Sequence, residues 1–183
     1  LSAEPKAMNI FRLANRAMLM SIARSAANRN REAGERYKEI DVSTLDFEAF
    51  RWRPFQLAFF LIAIRGLWEP DHPDRSIVDL IWFPTGGGKT EAYLAVAAFE
   101  MLRRRIIDGD RGNGTAVVKR YTLRLLTIQQ FERAGSLICA LETMRRAGKI
   151  PGNSPFSLGL WVGKDSSPNE VKGKDGAIAE LKK

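Results

Sequence analysis

The stretch "WFPTGGGKTEAY", residues 82–93, sets three consecutive glycines directly before a lysine and a threonine. Those types at that spacing suit phosphate chemistry. Gly86, Gly87 and Gly88 reach backbone angles closed to other residues, so their N–H groups can curl around anionic oxygens at a helix start. Lys89 adds a compact positive charge, and the Thr90 hydroxyl can ligate a divalent cation. The expected ligand is a nucleoside triphosphate with Mg²⁺. Thr85, Gly86, Gly87, Gly88, Lys89 and Thr90 are the expected contacts, with Thr90 as metal ligand and Lys89 as the catalytic cation on the β- and γ-phosphates.

Such a loop must be held between a strand and a helix. "SIVDLIWF" (76–83) is apolar and β-branched, lies between the loop "EPDHPDRS" and Pro84, and reads as a buried strand. Residues 89–107 read as a helix, and "AYLAVAAF" within it is apolar all round, as for a helix sandwiched in a core. The strict pattern G-x-x-x-x-G-K-[ST] fails at its first position, Phe83; the match is to the narrower P-T-G-x-G-K-T.

Around this unit, Phe11, Ala14, Met18 and Ile22 recur at helical steps and predict an amphipathic helix over 6–27. "VSTLDFEAF" (42–50) reads as a turn and a short helix. Pro54 suits the first turn of a largely buried helix over 54–67. After the flexible turn "GDRGNG" (109–114), "TAVVKRYT" (115–122) reads as a second strand, 124–147 as a long helix, and "FSLGLWVG" (156–163) as a third strand. Gly148 and Pro151 stop the long helix, which carries Ile128, Phe131, Ala134, Ile138 and Leu141 on one face. Strands and helices in alternation predict the α/β class: an incomplete P-loop NTPase parallel sheet flanked by helices, with right-handed crossovers. Residues 1–50 form an N-terminal helical appendage and 51–183 the partial nucleotide domain in this reading. Trp82 and Trp161, on strands, are expected in the core.

The 183 residues are 45% hydrophobic, enough for a packed core, and carry 29 Lys and Arg against 21 Asp and Glu. The net +8 favours polyanionic partners. Cys139 excludes a disulfide within the chain and reads as a core residue in a reducing cytoplasm. His72, the lone histidine, makes no metal site. The longest apolar run, "LAFFLIAI" (57–64), is short of the ~20 residues that span a bilayer, so no membrane partner is expected. The arginines 103–105 and 145–146 fall in last helical turns, where cations are favoured without any ligand. The first residue is Leu, which suggests a piece of a longer protein.

Two further segments narrow the class. "RPFQ" (53–56) precedes the glycine loop, and "TLRLLTIQQ" (122–130) follows the second strand. With P-T-G-x-G-K-T they resemble the first RecA-like domain of superfamily 2 helicases. That resemblance implies that Gln56 reads the adenine edge, which selects ATP. It implies that residues 84–90 are motif I, and that Thr122, Arg124, Leu126 and Gln129 match motif Ia, with Thr122 in place of the usual Pro. Motif Ia grips a sugar-phosphate backbone, so Thr122, Arg124 and Gln129 are the nucleic-acid candidates. Across residues 50–163 the strings also resemble the helicase-like A component of the DISARM anti-phage system. This implies an ATP-dependent DNA helicase or translocase, with DNA favoured over RNA and other defence proteins as partners.

The chain offers no acidic D-E-x-H strand end, no arginine finger and no second RecA-like domain. The piece alone is therefore expected to bind nucleotide weakly and hydrolyse almost none. An alternative is a nucleic-acid-binding scaffold module switched by ATP, without motor activity. A GTPase lacks its N-K-x-D signature here, and a small-molecule kinase has no use for "TLRLLTIQQ".

Overall fold

The structure is a computed structural model. It describes residues 4–28, 50–84, 86–120, 124–161 and 170–173, the helix at 177–180, and positions 35, 36, 38, 41 and 44. Four long helices carry it: α1 (Pro5–Ala27), α2 (Pro54–Trp68), α3 (Lys89–Arg103) and α4 (Arg124–Arg146). A short α5 (Ala177–Glu180) follows. Most of the segment read as a turn and short helix, 42–50, lies outside the described residues.

The four long helices share one core. α1 gives it Ile10, Ala14 and Met18, α2 gives Phe60 and Ile64, α3 gives Phe99 and Leu102, and α4 gives Leu137, Leu141 and Met144. Ala92, Ala95 and Ala98 recur every third residue on α3 and are wholly buried, as are Ala14 and Ala17 on α1. Small side chains at a helical period let α1 and α3 approach closely. Phe60 ties the layers together: its ring stacks on Phe11 at 5.2 Å and meets Phe99 edge-on at 6.3 Å. Pro54 opens α2 at a position where its missing N–H costs no bond.

The expected α/β sheet is overturned. Among the described residues there is no strand, and the fold is helical instead of a RecA-like parallel sheet. The described residues of the three segments read as strands run without a ladder, and several of their large side chains face water: Val78 is 92% exposed, Val118 77% and Trp161 100%. A parallel strand is held by hydrogen bonds to its neighbours and by helices over both faces. An apolar β-branched run supplies propensity for that arrangement, but not the partners.

Three smaller expectations also change. Trp82 and Trp161 are exposed, not core. Cys139 lies on the outer side of α4, exposed. α2 buries only Gln56, Phe60 and Ile64, while Leu61 and Ile62 face outward, because a single side of this helix is packed. α3 starts at Lys89 as expected and buries Leu94, Ala95, Ala97, Ala98, Phe99 and Leu102, but it ends at Arg103, short of the expected 107.

The arginines at the end of α3 and just after it hold the chain together. The Arg103 guanidinium bonds Glu100 at 2.7 Å, and that bond raises its pKa. Arg104 donates to Thr115 O at 2.8 Å; Arg105, buried, donates to Ser154 O and lies 4.7 Å over the Phe156 ring.

Candidate functional site

The glycine loop sits where α2 and α3 begin. Gly86 and Gly88 have φ of +80° and +89°, and Gly88 is the residue that caps α3. Its positive φ favours glycine, and a Cβ there would stand 2.5 Å from the Gln56 Nε2, which would have to shift. Gly87 N–H turns back on Pro84 O at 3.1 Å.

The start of α2 fastens the loop from outside. Gln56, buried, accepts from the Arg53 N–H at 2.9 Å and donates to Gly88 O at 2.8 Å. The first of these bonds is a helix-capping contact by the third helical residue. Arg53 donates to Gly87 O at 2.8 Å. Phe55 stacks on Phe83 at 4.0 Å, just before the loop. The R-P-F-Q string therefore meets the glycines in space, with Gln56 bonded to backbone at both ends of its amide.

Lys89 is folded back on the loop, donating to Phe83 O and to Pro84 O. Its neighbour Thr90 is buried at the first turn of α3. The Tyr93 hydroxyl lies 3.1 Å from Thr90 Oγ1 and 3.4 Å from Gln130 Oε1 on α4. Glu91 pairs with Arg133 of α4 at 3.0 Å. Over the Tyr93 ring, at 4.8 Å, sits the Lys119 ammonium, whose pKa is lowered to about 8 by burial and by nearby Arg133.

The glycines, Lys89, Thr90, Tyr93, Gln130 and Arg133 border one open cleft of about 1480 Å³, whose far wall includes Arg12 and Arg16 of α1. Six cationic side chains line it (Arg12, Arg16, Arg51, Arg53, Lys89 and Arg133) against the carboxylates of Asp79 and Glu91. That balance suits a polyanion. The donor set also suits a triphosphate with its cation: left-handed glycines at a helix start, a lysine bound only to neutral carbonyls, and a threonine hydroxyl beside them.

The structure thus brings Gln56, Gly86, Gly87, Gly88, Lys89 and Thr90 together, with Gln129 on the same cleft. Thr85 and Thr122 lie outside the described residues. Arg124 is the first residue of α4, with its side chain outside them. Arg53, Tyr93, Gln130 and Arg133 were missed. The available signals were Arg53 at the head of R-P-F-Q and Tyr93 one helical turn beyond Thr90. Among the described residues no group of His, Cys, Asp and Glu could hold a metal ion, and no helix is long and apolar enough to cross a membrane.

No family model matches the chain. It is related in sequence to the DISARM protein DrmA of Bacillus paralicheniformis (strain ATCC 9945a / NCIMB 11709 / CD-2), 42% identical over 171 residues. The match covers 91% of this chain and 15% of that relative.

Proposed function

We propose that this chain is the ATP-binding part of a superfamily 2 DNA helicase or translocase that acts in bacterial anti-phage defence. The observation that carries the reading is the left-handed Gly86–Gly88 loop capping α3 beneath a cationic cleft. The name of the DISARM relative supports the defence role. Partners in this reading are DNA and other defence-system proteins.

Each residue then has a task. The loop amides and Lys89 hold the β- and γ-phosphates. Lys89 exchanges two bonds to neutral carbonyls for bonds to anionic phosphate oxygens, which are stronger. Thr90 holds Mg²⁺, which when bound neutralises phosphate charge. Gln56 and Arg53 keep the loop open by gripping the Gly88 and Gly87 carbonyls. Gln56 reads adenine only by giving up one of its backbone bonds. Arg124 and Gln129 on α4, with Thr122, meet the nucleic-acid backbone.

The test is equilibrium binding of a fluorescent ATP analogue to this chain, beside its Lys89→Ala variant. Saturable, Mg²⁺-dependent binding that the variant loses supports the reading. No binding by the unaltered chain sinks it. ATP turnover by a longer chain with and without single-stranded DNA separates the motor from an ATP-switched scaffold.

A further inference from the structure

Asn15 stands in the middle of α1, a poor place for its type, because a short amide competes with the helix's own backbone bonds. Both ends of this amide are engaged. Its Nδ2 donates to Phe11 O one turn back, at 2.8 Å, and its Oδ1 accepts from the Trp52 indole N–H at 2.7 Å. A carbonyl only accepts and an indole N–H only donates, so the two partners fix which way the amide faces. The second bond joins residues 37 positions apart.

Trp52 comes directly before Arg53, the residue that caps α2. Its ring packs on the core, 6.1 Å from the Phe60 ring. Packing sets how deep the segment lies, and the directed bond from the ring edge sets its place along α1. The glycine loop is one step further on. Arg53 donates to Gly87 O and Gln56 to Gly88 O, each at 2.8 Å. A slip of Trp52 along α1 carries Arg53 and Gln56 with it and loosens the grip on both loop carbonyls.

We propose that Asn15 is a positioning residue of the nucleotide site, acting through the Trp52 indole to hold the start of α2 where it grips the glycine loop. The proposal rests on the nucleotide-binding reading above. It gives α1 a task in nucleotide binding without a contact to the nucleotide.

A double-mutant cycle on the whole chain tests it. Affinity for the fluorescent ATP analogue with Mg²⁺, and the urea midpoint, are measured for the unaltered chain, Asn15→Leu, Trp52→Phe, the double variant and Met144→Ala. Leu keeps nearly the shape of Asn without its polar atoms, and Phe keeps a ring without the N–H. Each of these two changes is expected to weaken binding by roughly three- to tenfold, the scale of one hydrogen bond, because the loop spends less time in the gripped shape. The double variant is expected to bind no more weakly than the weaker single one, since both changes remove the same contact. Met144 is buried in the core, about 16 Å along α4 from Arg133, so Met144→Ala is expected to lower the urea midpoint and leave affinity unchanged. The proposal is overturned if Asn15→Leu lowers the midpoint but not the affinity, as for a merely structural amide. It is overturned if Asn15→Leu still weakens binding in the Trp52→Phe chain, as for an amide that touches the ligand itself, or if Met144→Ala weakens binding as much. If Asn15→Leu does not fold, Trp52→Phe against Met144→Ala decides by the same comparison. In each of these cases the binding site stands. If the unaltered chain binds no analogue, the nucleotide reading falls and takes this role of Asn15 with it.

Discussion

The Gln56 amide nitrogen donates to the Gly88 carbonyl at 2.8 Å, joining residues 32 positions apart and setting the first turn of α2 against the cap of α3. Because Gly88 has φ of +89°, this carbonyl points where a right-handed residue would not place it. The loop's shape is therefore fixed jointly by a glycine and by a side chain from another helix.

Gly88→Ala follows directly. The new Cβ is strained at positive φ and would stand 2.5 Å from Gln56 Nε2. The expected cost is about 1–3 kcal/mol of stability, read from urea unfolding, together with loss of nucleotide binding. Gly86→Ala carries the same backbone strain but has nothing within 4 Å of its Cβ. A smaller loss is expected there, and equal losses would contradict the role given to Gln56.

Lys89→Ala separates binding from folding. Lys89 bonds only loop carbonyls, so its removal is expected to shift unfolding by less than about 0.5 kcal/mol. Analogue affinity is expected to fall at least about tenfold, since a charge-assisted contact is lost. An unfolded variant would show instead that the lysine holds the loop together.

The core prediction concerns Phe99. It is wholly buried and meets the Phe60 ring edge-on, so Phe99→Ala is expected to cost about 3–5 kcal/mol. Trp161→Ser, at a fully exposed side chain, is expected to change stability by less than about 0.5 kcal/mol. Paired denaturation curves check both.

Glu142 governs the acid limb. Its carboxylate accepts from Arg145 at 2.6 Å, from Arg146 at 3.0 Å and from the Phe156 N–H at 3.2 Å. These bonds, Arg145's foremost, lower its pKa from 4.5 to about 2. The unfolded chain therefore binds this proton first as pH falls. The stabilisation is complete above 4.5 and is lost as pH drops toward 2. In Glu142→Gln the urea midpoint is expected to be lower at neutral pH, and to fall less between pH 4.5 and 2.

The helices were legible because their signals are local. Periodic apolar residues and Pro54 placed α1, α2 and α4 close to their observed bounds, and α3 begins at Lys89 as read, although it ends earlier, at Arg103. The glycine loop was legible as a motif, but the bond from Gln56 to the Gly88 carbonyl was not, since the resemblance implied only that Gln56 reads adenine. The strands were not, because an extended run becomes a strand only when another strand pairs with it, and no residue within 76–83 encodes that partner. The parts of the site that join α3 to α4 were missed for a related reason. Tyr93 and Gln130 are 37 positions apart and ordinary in type, so only packing brings them together.

The exposed residues Val78, Leu80, Trp82, Val118 and Trp161 have a thermal consequence. Their side chains are wetted in the folded chain much as in the unfolded one, so they add almost nothing to the heat capacity of unfolding. The increment is expected to fall below the usual ~12–15 cal/mol/K per residue. The curve of stability against temperature is then shallow, and warming from the cold changes the balance of folded and unfolded chains only slowly.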